Sequence, residues 1–118
     1  MEILIDESAQ EGYKVIRKIG DCRVALINYT EAIDRLKWRK IERHTQTDES
    51  FILLQGNATL VVTKDLKKYP MEQGKIYTIP ENVWHAIYCS SDAKILVVEK
   101  DEVEKNTERI WFEKNPQE

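Results

Sequence analysis

The sequence predicts an all-β chain, a sandwich or barrel of short strands. Three observations predict it. Apolar residues recur at strand spacing almost throughout, long helical periodicity is missing, and Gly, Pro, Asp and Ser turn signals separate the runs. At 118 residues the chain makes one domain, 1–118, large enough for a core but without room for a second.

Taken in order, Tyr13–Lys18 alternates into a strand, and Gly20-Asp21 turns it into a second, Cys22–Tyr29. Thr30–Arg35 is the one early helix-like piece, a turn opened by the capping hydroxyl of Thr30. Leu36–His44 alternates again. Leu36, Trp38, Lys40, Glu42 and His44 share one face there, and Lys37, Arg39, Ile41 and Arg43 the other. A polar turn leads into Glu49–Gln55, which ends at Gly56; Asn57–Thr63, Lys75–Ile79, Val83–Cys89 and Ala93–Lys100 complete the set. The segment 101–118 is polar around an apolar Ile110-Trp111-Phe112 patch and is expected to dock on the domain.

Phe51–Leu54, Leu60–Val62 and Ile95–Val98 are apolar on both faces. A small barrel buries only its inner face, so outward Ile52, Leu54 or Val62 needs a second cover. Another sheet of the same chain could supply it and a second subunit does so equally well; a homodimer is the preferred reading.

Charge and composition exclude several function classes. Eighteen basic residues face 21 acidic ones, and the excess acid lies in the last segment, where six acids meet three bases. The basic run Arg35, Lys37, Arg39, Lys40 and Arg43 is interrupted by Asp34 and Glu42 and reads as a solvated strand face. No nucleic-acid partner is expected. No apolar run approaches the roughly 20 residues of a membrane helix, so no membrane partner is expected either. The first residues lack the basic start and apolar stretch of a secretion signal, and Cys22 and Cys89 read as free thiols. The expected location is cytoplasmic.

Both histidines lie between residues 42 and 89. Glu42 and His44 are two apart on one strand and point to the same side; Glu49 opens the next strand, and His85 heads a later one that must fold back alongside. Two imidazoles and two carboxylates suit a divalent ion and balance its charge, favouring Mn, Fe or Zn. Each residue also has a plainer use. Glu42 can pair with Lys40, His44 can be an ordinary interior histidine, and Glu49 can be a surface acid. By alternation Trp38, Lys40, Phe51, Leu53 and Cys89 line the same interior, while Trp84 and Tyr88 point away from it. Lys40 is the handle for an anionic ligand, and Cys89 is expected to be a buried, inert thiol.

These residues carry a resemblance. Glu42-x-His44-x-x-x-x-Glu49, with Gly56 beyond it, resembles the second half of the first motif of the cupin superfamily. Gly74, Pro80, Asn82, His85 and Cys89 fall on the spacing of its second motif. Leu36 stands in place of that family's opening Gly, Glu42 in place of its first His, Asn82 in place of a turn Gly and Cys89 in place of an Asn. The resemblance implies an antiparallel jelly-roll β-barrel with motif core 36–100. It also implies a metal held by His44, Glu49 and His85, with Glu42 at the remaining ligand position. A small polar metabolite, sugar-like or anionic, is the expected ligand. Any chemistry is expected to be isomerase- or oxygenase-like. The competing expectation is a metal-free binding module.

Overall fold

The structure, a computed structural model, describes residues 2–116; Met1, Gln117 and Glu118 of the expected domain lie outside the described residues. Ten strands follow one another: β1 (Gly12–Ile19), β2 (Cys22–Asn28), β3 (Lys40–His44), β4 (Glu49–Gln55), β5 (Ala58–Val62), β6 (Lys67–Pro70), β7 (Ile76–Ile79), β8 (His85–Cys89), β9 (Lys94–Lys100) and β10 (Thr107–Trp111). All pairings are antiparallel. They form two five-stranded sheets, β1-β2-β9-β4-β7 and β10-β3-β8-β5-β6, in the jelly-roll arrangement.

Strand parity sends the sheets' inner residues into one core. Ala25 and Ile27 of β2, Phe51 and Leu53 of β4, Leu60 of β5, and Ile95 and Val97 of β9 are all buried there. Gly56 lies at the tightest approach behind β4. Its φ is +75°, and a Cβ would sit 2.7 Å from the Ala93 Cα, so only glycine fits without moving backbone.

The outer faces of the two sheets differ. Behind the second sheet lies a further apolar cluster: Ile41 and Val61 with Trp38, and Trp84, Tyr88, Ile110 and Phe112 packed against them. The C-terminal segment builds this cover. It docks as β10, which pairs along β3 from Thr107 opposite His44 to Trp111 opposite Lys40. Its acids also meet the basic stripe: Arg43 Nε lies 2.6 Å from Glu108, and Arg39 donates to the Glu113 carbonyl. On β5, therefore, the apolar residue facing away from the core is Val61 rather than Val62, and the chain itself covers it. Behind the first sheet, Ile52 and Leu96 are half-buried while Leu54 and Ile76 are 41% and 69% exposed. That face is open over β4 and β7, while Leu26 on β2, opposite Leu96, is buried.

Local departures from the sequence reading have physical causes. Thr30 makes no side-chain cap; its carbonyl accepts from Ile33 N–H, opening one 3-10 turn. Asp34 then folds the chain again, taking Leu36 N–H on its carboxylate and Lys37 and Trp38 N–H on its carbonyl. Alternation starts only at Lys40, so Trp38 leaves the inward row. Strands β6 and β10 escape alternation because they are edge strands. All four β6 residues are exposed, two of them lysines that discourage further pairing.

Candidate metal centre

The register of the sheets sets two polar rows face to face across the interior. In the second sheet Arg109 lies opposite Glu42, and Glu42 opposite His85. In the first sheet Arg23 lies opposite Glu99, and Glu99 opposite Glu49. A cavity of about 390 Å³ lies among them, within the usual range for small-molecule sites.

His44 and His85 approach the same carboxylate oxygen. Their Nε2 atoms lie 3.1 and 2.8 Å from Oε1 of Glu49, and the three residues are at most 8% exposed. Their other ring nitrogens fix the tautomers. His85 Nδ1 lies 3.0 Å from the Val83 carbonyl, which can only accept, so Nδ1 carries the hydrogen. His44 Nδ1 lies 2.8 Å from the Thr107 hydroxyl, whose own hydrogen goes to the Val103 carbonyl, so Nδ1 again donates. Each neutral ring is thus left with an Nε2 lone pair directed at a carboxylate oxygen. Something positive must sit between them, a proton or a cation.

The electrostatics agree. Burial would raise the Glu49 pKa, but hydrogen bonds from His44, His85 and Glu99 overcome it and hold this carboxyl well below the usual range. Burial opposes charging His85, yet the bond to Glu49 raises its pKa. In the absence of a metal, these shifts describe an imidazolium against a carboxylate.

Glu99 is a member of the cluster that the sequence reading missed. It is 4% exposed, takes the Tyr13 hydroxyl on Oε2 and faces Glu49. Burial first, then a hydrogen bond to Glu49 and the Glu49 charge, push its pKa up to about 8. Arg23 beside it is also buried. Its Nη2 lies 2.7 Å from Glu104, while its Nε has no hydrogen-bond partner among the described residues. Parity gave a signal for both: Glu99 continues the inward run Ile95, Val97, and Arg23 begins the inward run Ala25, Ile27.

Of the other expected residues, Glu42 borders the cavity but binds Arg109 Nε, with Lys40 Nζ at 3.7 Å. Lys40 and Phe51 border the cavity as well. Trp38 reaches it, yet its ring stacks on Tyr88 at 6.2 Å and meets Phe112 edge-on in the outer cluster. Leu53 and Cys89 are elsewhere. Both sit in the apolar core, away from the cavity lining, because the polar residues gather at one end of their strands and these two lie towards the other. Burial pushes the Cys89 thiol up to about 11, which makes it inert.

A family model for the cupin domain matches residues 38–99, more than half of the chain. The chain is a cupin. Among solved structures, this cupin is similar to a cupin-2 domain protein of Shewanella frigidimarina, at 22% identity and TM-score 0.62 over 79% of this chain and 84% of that one. It is also similar to the nucleoside dehydratase Pac13, a Streptomyces protein, at 8% identity and TM-score 0.66 over 91% and 85%. Against FeII HppE the identity is 18% and the TM-score 0.60, over 74% of this chain and 48% of that one. None of the curated proteins matches the chain.

The donor set fits a metal. His44, Glu49 and His85 offer ligand atoms all within 4.8 Å of one another. Nitrogen and carboxylate donors in that combination suit Mn, Fe or Zn.

Proposed function

We propose that this cupin binds a divalent cation through His44, Glu49 and His85 and takes a small polar metabolite into the adjoining cavity. The observation that carries the reading is the pair of fixed tautomers, which present two Nε2 lone pairs to one buried carboxylate oxygen. Holding Nδ1–H on an oxygen acceptor orients an imidazole for ligation and raises its basicity. Bound there, the ion would supply Lewis acidity to a carbonyl or hydroxyl of the ligand. Around it the chain supplies cations, with buried Arg23 and the more exposed Lys40 bordering the cavity. A carboxylate, phosphate or hydroxyl of a sugar-like metabolite suits a cavity bordered by these two cations. Isomerase- or oxygenase-like conversion is the chemistry this lining favours, because acid–base groups are few and clustered at the ligands.

The test is metal analysis of protein purified without chelator or added metal. Stoichiometric Mn, Fe or Zn is expected in wild type and none in His85→Ala. A panel of metabolites should then shift the melting temperature of the loaded protein only.

One observation favours a second reading. A proton shared by His85 and Glu49 also satisfies the cluster, as in a metal-free binding module. Equal ligand binding by chelated wild type and by His85→Ala would select it.

We also propose that two copies pair through the open outer face of the first sheet, around Ile52, Leu54 and Ile76. Replacing Ile52 and Leu54 by Lys should then give monomers or insoluble protein, and light scattering showing a monomeric wild type would remove the idea. The free thiols Cys22 and Cys89 fit a reducing, cytoplasmic location.

A further inference from the structure

The first-motif ligand position is filled by Glu42, but Glu42 is already committed. Its Oε2 accepts from Arg109 Nε on the neighbouring strand β10, Lys40 lies on its other side, and its side chain is 24% exposed. Arg109 and Lys40 both hold Oε2, so a ligating Glu42 would have to share its charge between the ion and two cations. Glu99 is in the opposite situation. It lies directly across from Glu49 in the β4–β9 register, and its side chain is 2% exposed. One oxygen is held by Tyr13. The other, Oε1, has no hydrogen-bond partner among the described residues and lies 4.0 Å from Nε2 of His44. This buried oxygen meets no donor of its own and has only a proton shared with Glu49 to satisfy it, and it lies 4.0 Å from one of the two Nε2 atoms that converge on Glu49.

We propose that Glu99, not Glu42, is the fourth ligand of the cation site. This inference rests on the cation reading of His44, Glu49 and His85. Four elements then contribute one donor each: β3 gives His44, β4 gives Glu49, β8 gives His85 and β9 gives Glu99. Two neutral imidazoles and two carboxylates balance a divalent ion, which removes the need to hold a proton between adjacent buried acids. Tyr13 on Oε2 orients the carboxylate so that Oε1 is the ligating atom, the usual service of a hydrogen bond to a bound carboxylate. Arg109 and Lys40 keep Glu42 at the cavity mouth, where it faces the incoming ligand rather than the ion.

The experiment titrates Mn²⁺ and Zn²⁺ into chelator-stripped wild type, Glu99→Gln, Glu42→Gln and His85→Ala, and reads affinity by calorimetry. Glu99→Gln keeps shape and hydrogen-bonding capacity but removes the charge. It is expected to weaken binding by roughly 100-fold, at or beyond the upper end seen for outer-shell losses, with Glu42→Gln costing no more than about threefold. A crystal structure of the loaded wild type supplies a measurement independent of any variant's folding. It should place Glu99 Oε1 about 2.0–2.2 Å from the ion. If Glu99→Gln binds like wild type while His85→Ala does not, Glu99 is no ligand and the three-residue site stands. Glu42 found on the ion in place of Glu99 overturns the assignment of the fourth ligand. Wild type that takes up neither ion overturns the cation reading and this inference together.

Discussion

Two carboxylates in this barrel each lie across from an arginine, and the pairs behave differently. Glu42 and Arg109 form a close ion pair at the mouth, where both side chains retain contact with solvent, 24% and 44% exposed. Glu99 and Arg23 lie on the opposite wall, 2% and 8% exposed, with 3.6 Å between Arg23 Nε and the carboxylate and no hydrogen bond joining them. The first pair is neutralised and screened. The second sets a buried guanidinium beside a buried carboxyl that keeps its proton up to about pH 8, the two held together by the sheet register. What separates them is not sequence motif but depth, since a charge in water spends little energy on its partner and a buried one depends on it.

The largest test of that contrast is removal of each arginine. Arg23→Ala should cost about 3–5 kcal/mol in urea unfolding of chelated protein above pH 8, the range for breaking a buried pair, because Glu99 is then ionised, keeps its burial and loses its countercharge. Arg109→Ala should cost no more than about 1 kcal/mol. Similar losses from the two would erase the distinction.

The second test is pH. In chelated protein the Glu99 pKa stands near 8 against an ordinary 4.5, so between those values the folded state keeps a proton that the unfolded chain has lost. Stability should therefore fall as pH rises through this window, by at most about 1.4 kcal/mol per pH unit for each such group. The groups facing Glu99 are Glu49 from β4, His44 from β3, Tyr13 from β1 and Arg23 from β2. Glu49, held low, acts in the opposite sense: its contribution is present above its ordinary value and is lost as pH falls towards acid. His85, raised by Glu49, adds to the fall above its ordinary 6.5. Glu99→Gln should flatten the slope below pH 6.5 and leave the His85 part. A slope unchanged by Glu99→Gln would mean that Glu99 is not where the proton resides.

The smallest expected effect is at the mouth. Glu42→Gln should alter stability by less than about 1 kcal/mol. A large loss on unfolding would put Glu42 in the buried network after all.

The same contrast explains what could be read in the sequence. His44, Glu49 and His85 were legible because strand parity and the second-motif spacing leave their side chains little freedom of direction. The jelly roll was legible for the same reason, through Ala25, Phe51, Leu60, Ile95 and their alternating neighbours. Glu42 shared His44's parity and was correctly placed facing inward, but parity says nothing of depth, and Arg109 was invisible until β10 was known to pair with β3. Glu99 was masked because its strand is apolar on both faces, which drew attention to its outward residues instead. Trp38 was misplaced by a fold at Asp34 that resets the alternation two residues before Lys40. Edge strands such as Lys67–Pro70 carry little apolar pattern, because one side of them faces water.

Strand β10 has one further consequence. Thr107 accepts the Nδ1 hydrogen of His44 and is itself held by Val103, so the orientation of that imidazole is set by residues near the end of the chain. Tyr13 and Arg23, near the beginning, close the other wall. During synthesis the two histidines leave the ribosome well before the threonine that aims one of them. A nascent chain would carry both histidines and still lack the acceptor that aims one of them, so the geometry of His44 is completed only once β10 has paired with β3.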